Sequence, residues 1–112
     1  MPNESLALDG VFQALSSPTR REVLSRLSRG PAAMTDLAKP FKMALPSFLQ
    51  HLQVLEKAGL VRSQKTGRVR VFELEEQPMR EAEHWLANQR RIWDTRLDQL
   101  DSLLLGLKEK EE

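Results

Sequence analysis

LPSFLQHLQVLEKAGLV, residues Leu45 to Val61, decides the fold. Leu45, Leu49, Leu52 and Leu55 recur at spacings of three and four, so one face of a helix is apolar. Gly59 supplies the stop, because the residue just past a helix commonly needs a positive φ. The opposite face carries Ser47, Gln50, His51 and Gln53, side chains able to hydrogen-bond base edges or phosphates. Two strand-like runs follow at once, Val61 to Lys65 and Val69 to Leu74, around the hairpin signal Thr66-Gly67-Arg68. A helix with a polar, weakly charged outer face beside a cationic ribbon suits DNA better than it suits any reaction. Phe48 is the odd residue on this helix and reads as tucking inward as core, with a thymine methyl as its other candidate neighbour.

Upstream, Leu8, Val11, Phe12 and Leu15 repeat at helical spacing over Leu6 to Leu15. Ser17-Pro18 then starts a second helix, with a capping hydroxyl followed by proline where its missing N–H costs nothing. That helix turns Val23, Leu24 and Leu27 inward and stops at Arg29-Gly30-Pro31. Thr35 is the expected cap of a short third helix limited by Pro40. Downstream, Pro78 opens a long helix to about Lys108. Its apolar positions Met79, Ala82, Leu86, Trp93, Leu97, Leu100, Leu104 and Leu107 approach a coiled-coil seam.

The 112 residues allow one domain. It divides into a flexible N-terminus (1–5), a DNA-binding core (6–77), a C-terminal dimerisation helix (78–108) and a flexible tail (109–112). A composition 40% hydrophobic and 29% charged belongs to a folded chain. The absence of cysteine excludes disulfides and thiolate metal sites. Apolar runs are too short to span a membrane and no signal-peptide pattern opens the chain, so a cytoplasmic location is expected.

The net charge of +1 hides an uneven distribution: residues 1–75 hold eleven Lys/Arg against seven Asp/Glu, whereas 76–112 hold six against nine. Lys57, Arg62, Lys65, Arg68 and Arg70 fall in one stretch, 57–71, that contains no acid. A local field of that kind attracts phosphate whatever the net charge.

Two helices joined by a short turn, the second followed by a hairpin, describe a mainly α winged helix-turn-helix. Thr35–Lys39 would brace and Leu45–Ala58 would read the major groove of double-stranded DNA. The wing residues Lys65, Thr66, Arg68 and Arg70 would meet the backbone or minor groove. Arg20, Thr35 and Arg62 are further candidate phosphate contacts, although Arg20 and Arg21 sit in the first turn of a helix, the unfavourable end for cations. For both arginines an ion pair with Glu22 or another acid is an equal alternative. One such module buries little surface, so two copies on a two-fold site are expected. The stripe through Leu86, Trp93, Leu97, Leu100 and Leu104 supplies a self-complementary seam. Trp85 and Trp93 are placed to pack a dimer or to line an effector pocket.

ALSSPTRREVLSRL (Ala14–Leu27), MTDLAKPF (Met34–Phe41), HLQVLEKAGLV (His51–Val61) and GRVRVFEL (Gly67–Leu74) resemble the ArsR/SmtB-type bacterial transcriptional repressors, in the branch without metal-site residues. The resemblance covers Leu6 to Leu107. It implies a homodimer through the first and last helices, bringing in Leu8 and Phe12, and repression relieved by an effector. A small organic molecule, a partner protein and competition at the promoter all stay open as the trigger. Two positions depart from the family pattern. Leu49 and Gln50 stand where Ser and Lys or Arg are common, which shifts weight to the wing. Ala33 and Thr35 replace the Cys pair of metal sensors, and His84 with Glu81 and Glu83 is too compressed on one helix to converge on an ion. No metal or cofactor is expected, and no phosphate loop or nucleophile elbow points to an enzyme. The alternative is a winged-helix protein-interaction module that no longer binds DNA.

Overall fold

A computed structural model of the chain describes residues 2–111. The elements run α1 (Pro2–Leu15), α2 (Pro18–Leu27), β1 (Ala32–Ala33), α3 (Met34–Ala38), α4 (Leu45–Lys57), β2 (Val61–Thr66), β3 (Val69–Leu74) and α5 (Gln77–Glu111). Both terminal helices reach further than expected. The described parts of 1–5 and 109–112 are helical, with proline opening α1 and Lys108 and Lys110 in the last turn of α5, where cations suit the helix dipole. Met1 and Glu112 lie outside the described residues.

Local signals set most boundaries. Ser17 is extended, its Oγ accepts from the Arg20 backbone N–H at 3.3 Å, and Pro18 takes the first helical position. The end of α4 is a complete Schellman turn. Gly59, at φ +77°, donates its N–H to Glu56 O, and Leu60 donates to Leu55 O, both at 3.0 Å. Thr35 does not cap α3. The helix begins at Met34 with Ala33 as its cap residue, because Ala33 is already committed to the sheet opposite Val71.

The sheet has the order β1-β3-β2, antiparallel throughout. Strand β1 is only Ala32–Ala33, set against Phe72 and Val71. Gly67 and Arg68 form a two-residue hairpin turn between the paired Thr66 and Val69. Only Gly67 has positive φ (+64°), as a II′-type turn requires at its first central position.

Two compact units divide the chain, residues 1–82 and 83–112. The division falls inside α5 and not at 77/78, because Ala82 is buried in the core and Met79 packs against it. Within the first unit α4 contributes Phe48, Leu52 and Leu55, and the sheet contributes Val61 and Phe72. Leu45 does not join this face; it is 49% exposed. Phe48 occupies the place one turn before Leu52, with the Phe41 ring centroid 5.3 Å from its own. In the second unit Leu86, Trp93, Leu97, Leu100 and Leu104 are 50–60% exposed. No helix among the described residues is long and apolar enough to cross a membrane.

Leu55 and Leu60 are completely buried on either side of the Schellman turn. Leu55→Ala should lower the unfolding free energy by about 3 kcal/mol in urea titrations, from lost transfer energy plus a cavity. A loss below about 1 kcal/mol would show that the site is not close-packed.

Candidate nucleic-acid interface

Side chains alternate across a strand, so the register sorts the wing into two faces. Val61, Ser63 and Lys65 pair with Leu74, Phe72 and Arg70 on one face. Val61 and Phe72 are core residues, so this face turns toward the helices. Arg62, Gln64 and Thr66 pair with Glu73, Val71 and Val69 on the other. Lys65 and Arg70 are therefore brought together, with Arg68 in the adjoining turn, while Thr66 points to the opposite side.

Lys65 and Arg70 stand directly across the ladder, both exposed. Like charges in that position destabilise a hairpin. Arg70 is partly relieved: its Nη1 donates to Ser63 Oγ at 2.9 Å, and Ser63 Oγ donates to Glu56 Oε1 at 2.5 Å. Glu56 belongs to the last turn of α4, so this relay ties the cationic face of the wing to the helix beside it.

Arg62, by contrast, is occupied. Its Nε donates to Glu73 Oε1 and its Nη1 to Glu75 Oε1, the latter at 2.8 Å. These partners raise its pKa above the ordinary value, the hydrogen bond to Glu73 most of all, followed by the charges of Glu73 and Glu75. The structure thus places this candidate phosphate contact in an ion pair with two carboxylates, which offset its positive charge.

On α4, Ser47, Gln50 and Gln53 are exposed, and His51 is half-buried at the margin of the core stripe. Arg20 explains the position of His51. Arg20 Nε donates to Ala14 O at 2.8 Å, and Nη2 to Gln13 O at 2.9 Å and to Ser16 Oγ at 3.4 Å. Nη1 lies 3.2 Å from His51 Nδ1. Arg21 Nη1 donates to Leu15 O at 2.7 Å. The two cations that sit badly at the start of α2 thus serve the end of α1, where carbonyls lack the helix's own i+4 donors and the dipole is negative. Neither arginine pairs with Glu22, the acid that lies nearest in sequence. Thr35 is exposed within α3.

Sequence reasoning missed the Glu56–Ser63–Arg70 relay, since only the strand register places Ser63 beside Arg70. It also passed over Lys42, exposed in the turn between α3 and α4, and it did not place Lys57, exposed in the last turn of α4, on the reading face. Both were findable as cations at the two ends of a helix already singled out.

Residues 15–64 match a family model described as a helix-turn-helix domain. The transcriptional repressor SdpR of Bacillus subtilis (strain 168) is 30% identical over 81 residues, covering 72% of this chain and 90% of that protein. The HTH-type transcriptional regulator Rv2034 of Mycobacterium tuberculosis (strain ATCC 25618 / H37Rv) is 40% identical over 67 residues. That match covers 60% of this chain and 63% of the relative, just under two thirds of its length. A crystal structure of an ArsR family transcriptional regulator is 52% identical, covers 84% of this chain and 94% of its own, and superposes with a TM-score of 0.77. By its winged helix-turn-helix and by relatives matched over most of their length, the chain belongs to the ArsR family of DNA-binding transcriptional regulators.

Proposed function

We propose that the chain is a homodimeric repressor that binds a pseudo-palindromic operator in double-stranded DNA in the cytoplasm. The observation that carries this reading is the opposed pair Lys65 and Arg70, with Arg68 at the turn, on the sheet face that the Glu56–Ser63–Arg70 relay ties to α4. A hairpin that places like charges opposite one another gains most from an anion between them, and DNA phosphate is that anion. Ser47 and Gln50, joined by Gln53, face the base edges in the major groove, where Gln pairs bidentately with adenine.

The core of residues 6–77 makes the DNA contacts in this reading, and the helix from 78 onward pairs two subunits. The exposed stripe Leu86, Trp93, Leu97, Leu100 and Leu104 forms the seam, to which Leu8 and Phe12 of α1 contribute. A two-fold dimer sets two reading helices on successive half-sites, which is why the operator is expected to be pseudo-palindromic. The chain acts by occupancy, with no catalytic step.

Affinity for duplex DNA should fall steeply with salt, measured by fluorescence anisotropy across a salt series. Arg68→Ala with Arg70→Ala should flatten the log–log slope by about two per subunit, one for each phosphate left without its arginine. An unchanged slope removes the wing from the interface. Leu97→Glu should convert the dimer to monomer in sedimentation, because it sets a charge in the middle of an apolar seam. A dimer that survives this substitution is built on another surface.

A further inference from the structure

Arg20 is a buried-edge cation with an unusual set of partners. Two are the carbonyls of Gln13 and Ala14, one is the Ser16 hydroxyl and one is the His51 ring nitrogen. None is a carboxylate, so its charge is not cancelled. A guanidinium has only donors. His51 Nδ1 must therefore accept, which assigns the ring proton to Nε2 and turns Nε2 into a donor.

Resting on the DNA-binding reading above, we propose that Arg20 is a positioning residue that fixes His51 as an Nε2–H donor to a DNA phosphate. His51 lies at the half-buried margin of the exposed face of α4, while Ser47 and Gln50 occupy its centre. A side chain at the margin meets the backbone wall of the groove and not its floor. The uncancelled Arg20 charge behind the ring strengthens attraction for an anion in front of it. The same guanidinium holds the last carbonyls of α1, so the placement of the donor on α4 depends on where α1 ends. One side chain thereby connects α1 to the DNA-reading helix.

The first test needs no substitution at these positions. A long-range nitrogen–proton spectrum of the imidazoles at neutral pH, with His84→Gln to assign the two histidines, should show His51 protonated at Nε2. Protonation at Nδ1 alone overturns the proposal. The second is a double-mutant cycle on affinity for a mixed-sequence duplex of about 30 base pairs, long enough for two half-sites. Arg20→Lys keeps the charge but cannot hold the ring and the α1 carbonyls together. It should weaken binding about fivefold per subunit, the worth of one hydrogen bond. In a His51→Ala background the same change should cost nothing further. Equal losses in both backgrounds mean that Arg20 acts directly or through the fold, and the proposal fails. If the parent protein itself ignores the duplex at low salt, the DNA-binding reading falls first and takes this proposal with it.

Discussion

The relation of α4 to the wing passes through the turn at Gly59. Leu55 and Leu60 are both fully buried and joined by a backbone hydrogen bond, so α4 and β2 leave the core in one fixed relation. The Leu60 carbonyl then accepts from the Glu75 N–H at 2.8 Å, which closes the far end of the hairpin onto the same point. A side chain at 59 would meet a strained φ of +77°, while a Cβ there would lie at ordinary contact distance, 3.5 Å, from the ring of Pro78. Because this joint is rigid, strand parity alone determines that Lys65 and Arg70 face the side on which α4 lies.

The arginines of the core divide by what holds them. Arg62 is held by two carboxylates and acts as a staple across the hairpin. Arg20 and Arg21 hold the carbonyls at the end of α1. Arg70 is linked through one hydroxyl to Glu56. A count of basic residues in the stretch 57–71 treats Arg62 and Arg70 alike, yet Arg62 pairs directly with two carboxylates and Arg70 only with a hydroxyl. Among the described residues, the exposed cations that are free of a carboxylate partner in the wing are Lys65, Arg68 and Arg70, and Lys42 and Lys57 are exposed beside the two ends of α4.

What was legible in the sequence was what local chemistry determines. Ser17-Pro18, Gly59 and the Gly67 turn are stop and start signals that act within four residues, and each appears where expected. The inward Val23, Leu24 and Leu27 followed from helical spacing, and Phe48, the odd apolar residue of the reading helix, is buried as its preferred reading expected. What was not legible depends on partners far along the chain. Strand β1 is two alanines with no strand preference of their own; it exists because β3 offers Phe72 and Val71 for pairing. The neutralisation of Arg62 comes from Glu73, eleven residues later, through a register that composition does not reveal. Leu45 looked like core by periodicity and is exposed, because Phe48 and Phe41 fill that corner. The Arg20–His51 contact spans 31 residues and has no local signature at all.

The absence of cysteine makes one direct measurement clean. A single cysteine carrying a DNA-cleaving iron chelate can be placed on α4 or on α2 and its cuts mapped on a bound duplex. From Gln53→Cys, on the exposed side of α4, the tag should cut within the bound site at two positions related by the operator's symmetry. From Glu22→Cys, exposed on α2, it should cut more weakly than from Gln53→Cys. Strong cutting from Glu22→Cys with none from Gln53→Cys would mean that the duplex lies against a different surface, and that the wing and α4 do not form the interface.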